Sequence, residues 1–132
     1  MERAYLPVGD FAYKAVAVYY EDADSLEYVR QDEPAVYRRI DDLLTLVLSM
    51  STREAVGFQL KGFKHFYLQH VRDKFQLQDE NAFLELIVIL EEAVRSLGDE
   101  IFAEGDRRAA YLKAREIAKE DEVQLSRSQF FA

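Results

Sequence analysis

The hydrophobic pattern of the chain changes its period near residue 62, and this change limits the possible folds more than any other feature. Before it, apolar residues alternate with polar or small ones, as in 55–61, where Val56, Phe58 and Leu60 share one face. Beyond it, apolar residues recur every three or four positions. Alternation of period two predicts half-buried strands, and a period of 3.6 predicts amphipathic helices. The sequence therefore predicts an α+β protein with its strands first and its helices after them.

The first half contains several short runs with strand character. They cover residues 13–20, 26–30, 35–40, 43–49 and 55–61, and only short polar breaks separate them. Because a parallel crossover needs a dozen or more residues, breaks this short favour antiparallel neighbours. Residues 13–61 are thus predicted to form an antiparallel meander of about four strands.

Three helices are predicted in the second half, over 62–75, 79–102 and 107–120. In the second of them, apolar residues recur at alternating intervals of four and three, which is typical of helices that pack lengthwise. The residues of this stripe are Phe83, Ile87, Leu90, Val94, Leu97 and Ile101. The third helix carries the small residues Ala110 and Ala114 on one face. We therefore predict that the last two helices form a close hairpin.

The helix predicted over 79–102 has more apolar surface than a small sheet can cover. About 24 helical residues span about 36 Å, whereas a six-residue strand spans about 20 Å. Over 83–90 the helix is apolar nearly all round, and such a helix must be covered on several sides. We therefore expect a homodimer whose interface is the stripe that begins at Phe83. The alternative is that the sheet of a single chain covers the whole helix.

The composition limits the classes of site and location. The 132 residues are 49% apolar, which fits one domain; we divide it into a sheet half (13–61), a helical half (62–122) and a tail (123–132). The absence of cysteine excludes disulfides, thiolate metal sites and a cysteine nucleophile. No apolar run reaches the roughly 20 residues of a membrane span, and no secretory signal is recognisable. We expect a cytoplasmic protein that does not enter a membrane.

No constellation of catalytic or metal-binding residues stands out in the sequence. His65 and His70 are the only histidines, and on a helix their spacing of five residues points the two rings apart, so we do not expect a shared metal. Nothing marks a nucleophilic triad, and the five glycines do not form a phosphate-binding loop. We assign no catalytic residue, no metal and no cofactor, and we favour a non-catalytic protein over an enzyme.

A cluster of acids interrupts the first strands, and its members are Glu21, Asp22, Asp24 and Glu27. A calcium loop that begins at Asp22 would need a glycine at its sixth position, where Glu27 stands. Catalytic carboxylate pairs need two different environments, but acids on a solvated turn share one. Asp and Ser are good turn formers because their side chains bond to nearby backbone. We interpret the cluster as a structural turn, with functional acids as the alternative.

The segments on both sides of this turn resemble a family of small bacterial β proteins of unknown function. The matching residues are Tyr19, Asp24 and Leu26 in its first motif and Val56, Gly57, Phe58 and Leu60 in its second. Two positions depart from the pattern: Tyr20 stands where the family has Asp, and Glu27 stands where an apolar or aromatic residue is usual. Some members are regarded as candidate antitoxins of toxin–antitoxin pairs. The resemblance, which covers residues 15–63, therefore implies a protein partner.

One region, 61–75, is both basic and rich in aromatic residues. Its basic residues are Lys61, Lys64, Arg72 and Lys74. Such interleaving can bind single-stranded nucleic acid or another anion. However, the aromatic residues recur at helical spacing, which favours a role in the core, and the net charge of −8 repels nucleic acid at long range. We therefore favour a protein–protein interaction protein, with a nucleic-acid-associated regulator that uses 61–75 as the alternative.

Overall fold

The computed structural model describes residues 13–72, 83–98 and 104–130 of the chain. A five-stranded antiparallel sheet precedes the helices, so the predicted α+β class is confirmed. The strands of this sheet are β1 (Val18–Tyr20), β2 (Ser25–Val29), β3 (Ala35–Arg39), β4 (Leu44–Ser49) and β5 (Ala55–Lys61). A single turn of 3-10 helix, Glu21–Ala23, joins β1 to β2.

The order of the strands differs from that of a simple meander. It is β1-β2-β5-β4-β3, so β3, β4 and β5 form a meander and β2 lies beside β5, which is a Greek-key order. The prediction failed at residues 30–34, which join β2 to β3. Five extended residues reach about 17 Å, while three spacings between strands amount to about 14 Å. A short loop therefore excludes a parallel crossover but does not require neighbouring strands.

The helices pack against one face of the sheet, and the residues predicted to face inward lie there. The inward residues that are at most 6% exposed are Leu26 and Tyr28 in β2, Leu44 and Leu46 in β4, and Val56, Phe58 and Leu60 in β5. Leu26 lies opposite Leu60, and Tyr28 lies opposite Phe58. This register places large apolar side chains side by side across β2 and β5 and so forms the floor of the core.

The first helix, α1 (Phe63–His70), follows β5 after one residue. That residue, Gly62, has a φ of 68°, a conformation that glycine adopts without steric cost. Phe63 and Tyr67 of α1 are fully buried, as the helical spacing predicts. The last part of the helix predicted over 62–75 lies outside the described residues.

The second helix, α2 (Leu86–Leu97), is shorter than the helix predicted over 79–102. Residues Phe83–Glu85 form a strand, β6, and Gly98 with a φ of 55° follows the last helical residue. Twelve helical residues span about 18 Å, so α2 does not extend beyond the sheet. The described residues 83–98 therefore do not contain the long helix that was predicted to overhang the sheet, and positions 79–82 and 99–102 of that prediction lie outside the described residues.

The strand β6 pairs with β7 (Gln124–Ser126) in a separate two-stranded sheet. Leu84 and Leu125 face each other in this pair and are both buried, while Phe83 and Glu85 are exposed. Over only three residues an apolar run fits a strand and a helix equally well, and the pairing with a distant segment decides between them. This is why the sequence alone extended the helix too far.

The remaining helices complete the covered side of the molecule. The third helix, α3 (Gly105–Glu120), packs against α2 as the predicted hairpin, and it also contacts β4 and β5. Its buried residues are Ala110, Tyr111, Ala114, Ile117 and Ala118. The short helix α4 (Arg127–Phe130) lies beside β1, where the side chain of Gln129 accepts a hydrogen bond from the backbone N–H of Tyr19. None of the helices in the described ranges has the length and apolar composition needed to cross a membrane.

Candidate binding site on the open face of the sheet

The two faces of the five-stranded sheet are covered differently. Successive side chains of a strand point to opposite faces, and the core shared with the helices contains inward-facing residues of the sheet. We call the opposite face the open face. Its residues include Val18, Tyr20, Glu27, Val29, Tyr37, Val47 and Gln59. Val47 is fully buried although it is not part of the core cluster. Thr45 and Ser49 on the same face are also buried, so the open face is covered in part.

A cavity of about 300 Å³ lies on the open face. The described part of its wall combines tyrosines, carboxylates and aliphatic side chains, among them Tyr13, Tyr20, Tyr37, Glu27, Asp32, Glu33, Val16, Val18 and Val29. Among these described lining residues Lys14 is the one lysine or arginine, against three acids. The described wall is thus aromatic and carries a net negative charge.

The carboxylate of Glu27 is held in place from two other strands. Its Oε2 atom accepts a hydrogen bond of 2.7 Å from the hydroxyl of Tyr37 and one of 3.2 Å from the amide of Gln59. Tyr37 lies in β3 and Glu27 in β2, so this bond reaches across β4 and β5. Position 57 between them is a glycine, so no side chain of β5 stands in the way there. Within the described chain, no hydrogen bond or ion pair engages the other carboxylate oxygen of Glu27.

Neighbouring acids contribute to raised pKa values of two tyrosines in the cavity. The hydrogen bond to Glu27 is the largest cause that raises the pKa of Tyr37 to about 12, followed by burial and by the charge of Glu27. Burial, then the charges of Asp32 and Glu27, raise the pKa of Tyr13. The hydroxyl of Tyr13 donates a hydrogen bond to the carbonyl oxygen of Val29. Burial disfavours a charge of either sign, but the charges of Asp32 and Glu27, which are among these causes, favour a cation in the cavity.

Large apolar side chains are also exposed around this cavity. Among the described residues, the large hydrophobic side chains with high exposure are Val16, Tyr20, Tyr37, Met50, Phe83 and Leu112. The first three, which are 50–56% exposed, line the same cavity. Scattered single residues of this kind are normal on a surface, but a cluster around a concavity marks a site of interaction.

In the acidic turn between β1 and β2, Asp24 has a structural role. The carboxylate of Asp24 accepts hydrogen bonds from the backbone N–H of Lys64 (2.7 Å) and from the hydroxyl of Tyr19 (2.7 Å). Its carbonyl oxygen accepts bonds from the N–H groups of Gly62 and Phe63. Asp24 therefore caps the N-terminus of α1 from 40 residues away and does what a local N-cap residue does elsewhere.

Two further Tyr–Asp pairs fasten α3 to the sheet. At its C-terminal end, Asp121 accepts hydrogen bonds from the hydroxyl of Tyr28 (2.6 Å) and from two nitrogens of Arg30 (both 2.9 Å). Near its N-terminal end, Tyr111 and Arg107 donate to Asp41, which follows β3. These carboxylates bind groups of their own protein, so we assign them to stability rather than to a site.

The pKa values of these two aspartates agree with that assignment. Burial raises the pKa of Asp41, but hydrogen bonds from the backbone of Leu44, from Tyr111 and from Arg107 outweigh it and lower the pKa below its usual range. For Asp121, burial again acts upward and the bonds from Arg30 and Tyr28 outweigh it. Both groups are therefore held in the charged form.

A second cavity, of about 530 Å³, lies beside Asp41 between α1, α2 and α3. His70 and Phe66 also line it. Part of its wall is formed by Leu97 and Glu104, which flank a segment that is not described. Its best-placed carboxylate, Asp41, is already occupied by Arg107 and Tyr111. Nothing in the described ranges groups three His, Asp or Glu side chains so that they could hold a metal ion. The cavity on the open face is therefore the better candidate.

The residues of the stripe predicted as a homodimer interface differ in their burial and in the element on which they lie. Leu90 is fully buried within the single chain, so it is not available to a partner. Ile87, Val94 and Leu97 are half-buried against the core. Phe83 is 58% exposed but lies on β6 rather than on the helix, and Ile101 lies outside the described residues. The homodimer itself stays a prediction.

The described residues of the predicted basic site lie on different elements. Lys61 ends β5 on the open-face side, Lys64 is half-buried in the first turn of α1, and Arg72 is exposed just after that helix. Lys74 lies outside the described residues. The aromatic residues Phe63 and Tyr67 of this segment are buried, so they are not available to stack on bases.

Sequence reasoning missed the residues of the open-face cavity, although one signal was present. Tyr20 and Glu27 are the two positions at which the chain departs from the family that it resembles, and both line the cavity. Family models, curated proteins and solved structures were compared with the chain, and none of them matches it. The resemblance to small bacterial β proteins therefore stays a prediction from the sequence.

Proposed function

We propose that this chain is a non-catalytic interaction protein that binds another protein on the open face of its sheet. The observation that carries the proposal is the gathering of the exposed side chains of Val16, Tyr20 and Tyr37 around one cavity. Tyrosine is enriched at the energetically dominant positions of protein interfaces, because it offers a large rigid surface with a polar end.

The predicted resemblance points in the same direction. Candidate antitoxins act by holding a protein partner, and the matched residues build the strands that carry the open face. The interaction surface that we propose differs from the one predicted from the sequence. It lies on the sheet instead of along α2, because the central residue of the helical stripe, Leu90, is already used inside the chain.

The arrangement of the other carboxylates supports a non-catalytic role. Asp24, Asp41 and Asp121 each accept several hydrogen bonds from side chains or backbone of the same chain. A general acid or base must reach a substrate proton, and these oxygens are directed to internal donors. We therefore place no reaction at them.

The test is capture of the partner from native cells with surface variants. In Tyr20→Ser combined with Tyr37→Ser, two exposed rings are removed from the open face, and we expect loss of a protein that the wild type retains. The matched control is Leu112→Ser, which removes an exposed apolar side chain (38% exposed) from α3. A partner that both variants retain equally would overturn the proposal.

Two other occupants of the open face are distinguished by the same variants. If a second copy of the chain binds there, sedimentation of the pure protein will show a dimer that the double variant loses and the control keeps. If nucleic acid binds, a gel shift at low salt will respond to Lys61→Gln and Arg72→Gln instead. Either outcome in the absence of a protein partner would replace the proposal.

A further inference from the structure

We propose that the open-face cavity receives the guanidinium group of an arginine from the partner. This inference rests on the proposed function and adds the chemistry by which the partner is recognised. The cavity presents ring surfaces and a fixed carboxylate to one small volume, and an arginine side chain is complementary to both.

The carboxylate of Glu27 supplies the charged anchor. Tyr37 and Gln59 bind its Oε2 atom and so fix its direction. The other oxygen has no partner in the described part of the chain, and Glu27 is one of the residues that line the cavity. A carboxylate that is already oriented loses little further freedom when a guanidinium binds, and this favours affinity.

The surrounding charge is complementary to a cation. Asp32 and Glu33 line the cavity together with Glu27, and among the described lining residues Lys14 alone has a full positive charge. One oxygen of Glu33 is engaged by the hydroxyl of Ser49 at 2.5 Å. No hydrogen bond or ion pair joins Lys14 to these acids within the described residues, so the negative potential is not cancelled by a local ion pair.

The tyrosine rings supply the second part of the site. Tyr20 and Tyr37 are about half exposed, and both line the cavity together with Glu27. Cations bind over the faces of aromatic rings, and arginine does so more often than lysine because its planar group also stacks. The combination of rings and a fixed carboxylate therefore selects arginine over a neutral side chain.

The experiment uses small probes on the full-length protein. Binding of N-acetylarginine amide is followed by NMR shifts of the Tyr20, Tyr37 and Glu27 resonances and compared with N-acetylcitrulline amide, which has nearly the same shape without the charge. We expect saturable shifts with arginine, at least about threefold weaker binding of the lysine analogue, and none with citrulline. Equal binding of arginine and citrulline would overturn the inference.

Two variants locate the probe. Glu27→Gln keeps the shape of the side chain but removes its charge, and Tyr20→Leu removes an exposed ring without adding charge. Each is expected to weaken arginine binding by about threefold to tenfold. Glu116→Gln, on the exposed side of α3, serves as the control and should leave the affinity unchanged. Arginine binding that survives both cavity variants at full strength would place the probe elsewhere and refute the site.

The two proposals can fail separately. If the partner is lost in the Tyr20 and Tyr37 double variant but arginine does not bind, the open face is an interface and the arginine inference is wrong. If arginine binds at Glu27 but the double variant keeps its protein partner, the proposed function is wrong, and the cation site stands on its own.

Discussion

Tyrosine rings are buried on the covered face of the sheet and exposed on its open face. On the covered face, Tyr28 and Tyr111 are at most 4% exposed and their hydroxyls donate to Asp121 and Asp41. On the open face, Tyr37 makes the same kind of bond to Glu27 while its ring is 52% exposed. The hydroxyl–carboxylate bond is thus common to both faces. The exposure of the ring distinguishes a side chain that stabilises the fold from one that is available to a partner.

The largest effect on stability is expected at Gly57, where the backbones of β2 and β5 lie very close together. A Cβ atom at this position would lie 2.2 Å from the carbonyl oxygen of Tyr28 and 2.8 Å from the Cα of Val29. Neither backbone atom can move without separating β2 from β5. We therefore expect Gly57→Ala to reduce the free energy of unfolding by more than about 3 kcal/mol, beyond the usual cost of overpacking.

Urea denaturation followed by circular dichroism measures this effect. Gly105→Ala is the control, because no atom lies within 4 Å of the added Cβ and the residue begins α3. We expect the control to keep or slightly gain stability. If Gly57→Ala is as stable as the control, the close approach of β2 and β5 is incorrect.

The next largest effect on stability is expected for a substitution on the covered side of the sheet. Leu90 is fully buried in α2 and its removal to alanine leaves a cavity, which costs about 2–5 kcal/mol. The same change at Leu112, which is 38% exposed on α3, should cost about 0.5 kcal/mol or less. A comparison of the two urea midpoints tests the assignment. Similar values for both variants would mean that Leu90 is not enclosed by its own chain.

The sequence was sufficient to predict the covered face but not the order of its strands. Alternation in 55–61 identified the inward residues Val56, Phe58 and Leu60, because burial of one face leaves a pattern in the residues themselves. The loop over 30–34 carries no such pattern, since its length permits both neighbouring and distant strands. Likewise, only the pairing of Leu84 with Leu125 shows that 83–85 is a strand.

The open face was harder to predict for a related physical reason. In the run 13–20 every residue except Lys14 is apolar or aromatic, so the period alone does not separate an inward set from an outward one. The cavity also depends on residues from four strands, β1 to β4, together with the loop over 30–34 and the segment before β1. Their proximity arises from the Greek-key order. Glu27 was visible in the sequence as an acid among the apolar residues of β2.

The hydrogen bonds that hold α3 on the covered face of the sheet are expected to depend on pH. Hydrogen bonds lower the pKa of Asp41 below its ordinary value of 3.8 in spite of burial. A lowered pKa in the folded state stabilises it above the ordinary pKa, and this stabilisation is lost as the pH falls through the folded value. Asp41→Asn should therefore cost about 2 kcal/mol at neutral pH, as expected for hydrogen bonds to a charged group, and clearly less in acid below pH 3.8.

Urea midpoints of the wild type and of Asp41→Asn, measured from neutral to acid pH, test this expectation. Asp22→Asn is a suitable control, because Asp22 is exposed on the turn and makes no hydrogen bond among the described residues. The gap between wild type and Asp41→Asn should narrow with acid. A gap that widens would show that the carboxylate of Asp41 destabilises the folded chain.

The smallest change in stability, and the sharpest test of the open face, is expected from Glu27→Gln. The hydrogen bond to Glu27 is the largest cause of the raised pKa of Tyr37, about 12, so its replacement by a neutral amide should bring that pKa toward the ordinary 10.0. NMR titration of the Tyr37 ring measures the shift, and the free energy of unfolding should change by about 0.5 kcal/mol or less. Tyr28 is the internal control, since burial and Asp121 raise its pKa and the variant leaves both unchanged. If the pKa of Tyr37 does not fall while that of Tyr28 stays constant, Glu27 does not set the potential of the cavity, and the contrast between the two faces loses its electrostatic basis.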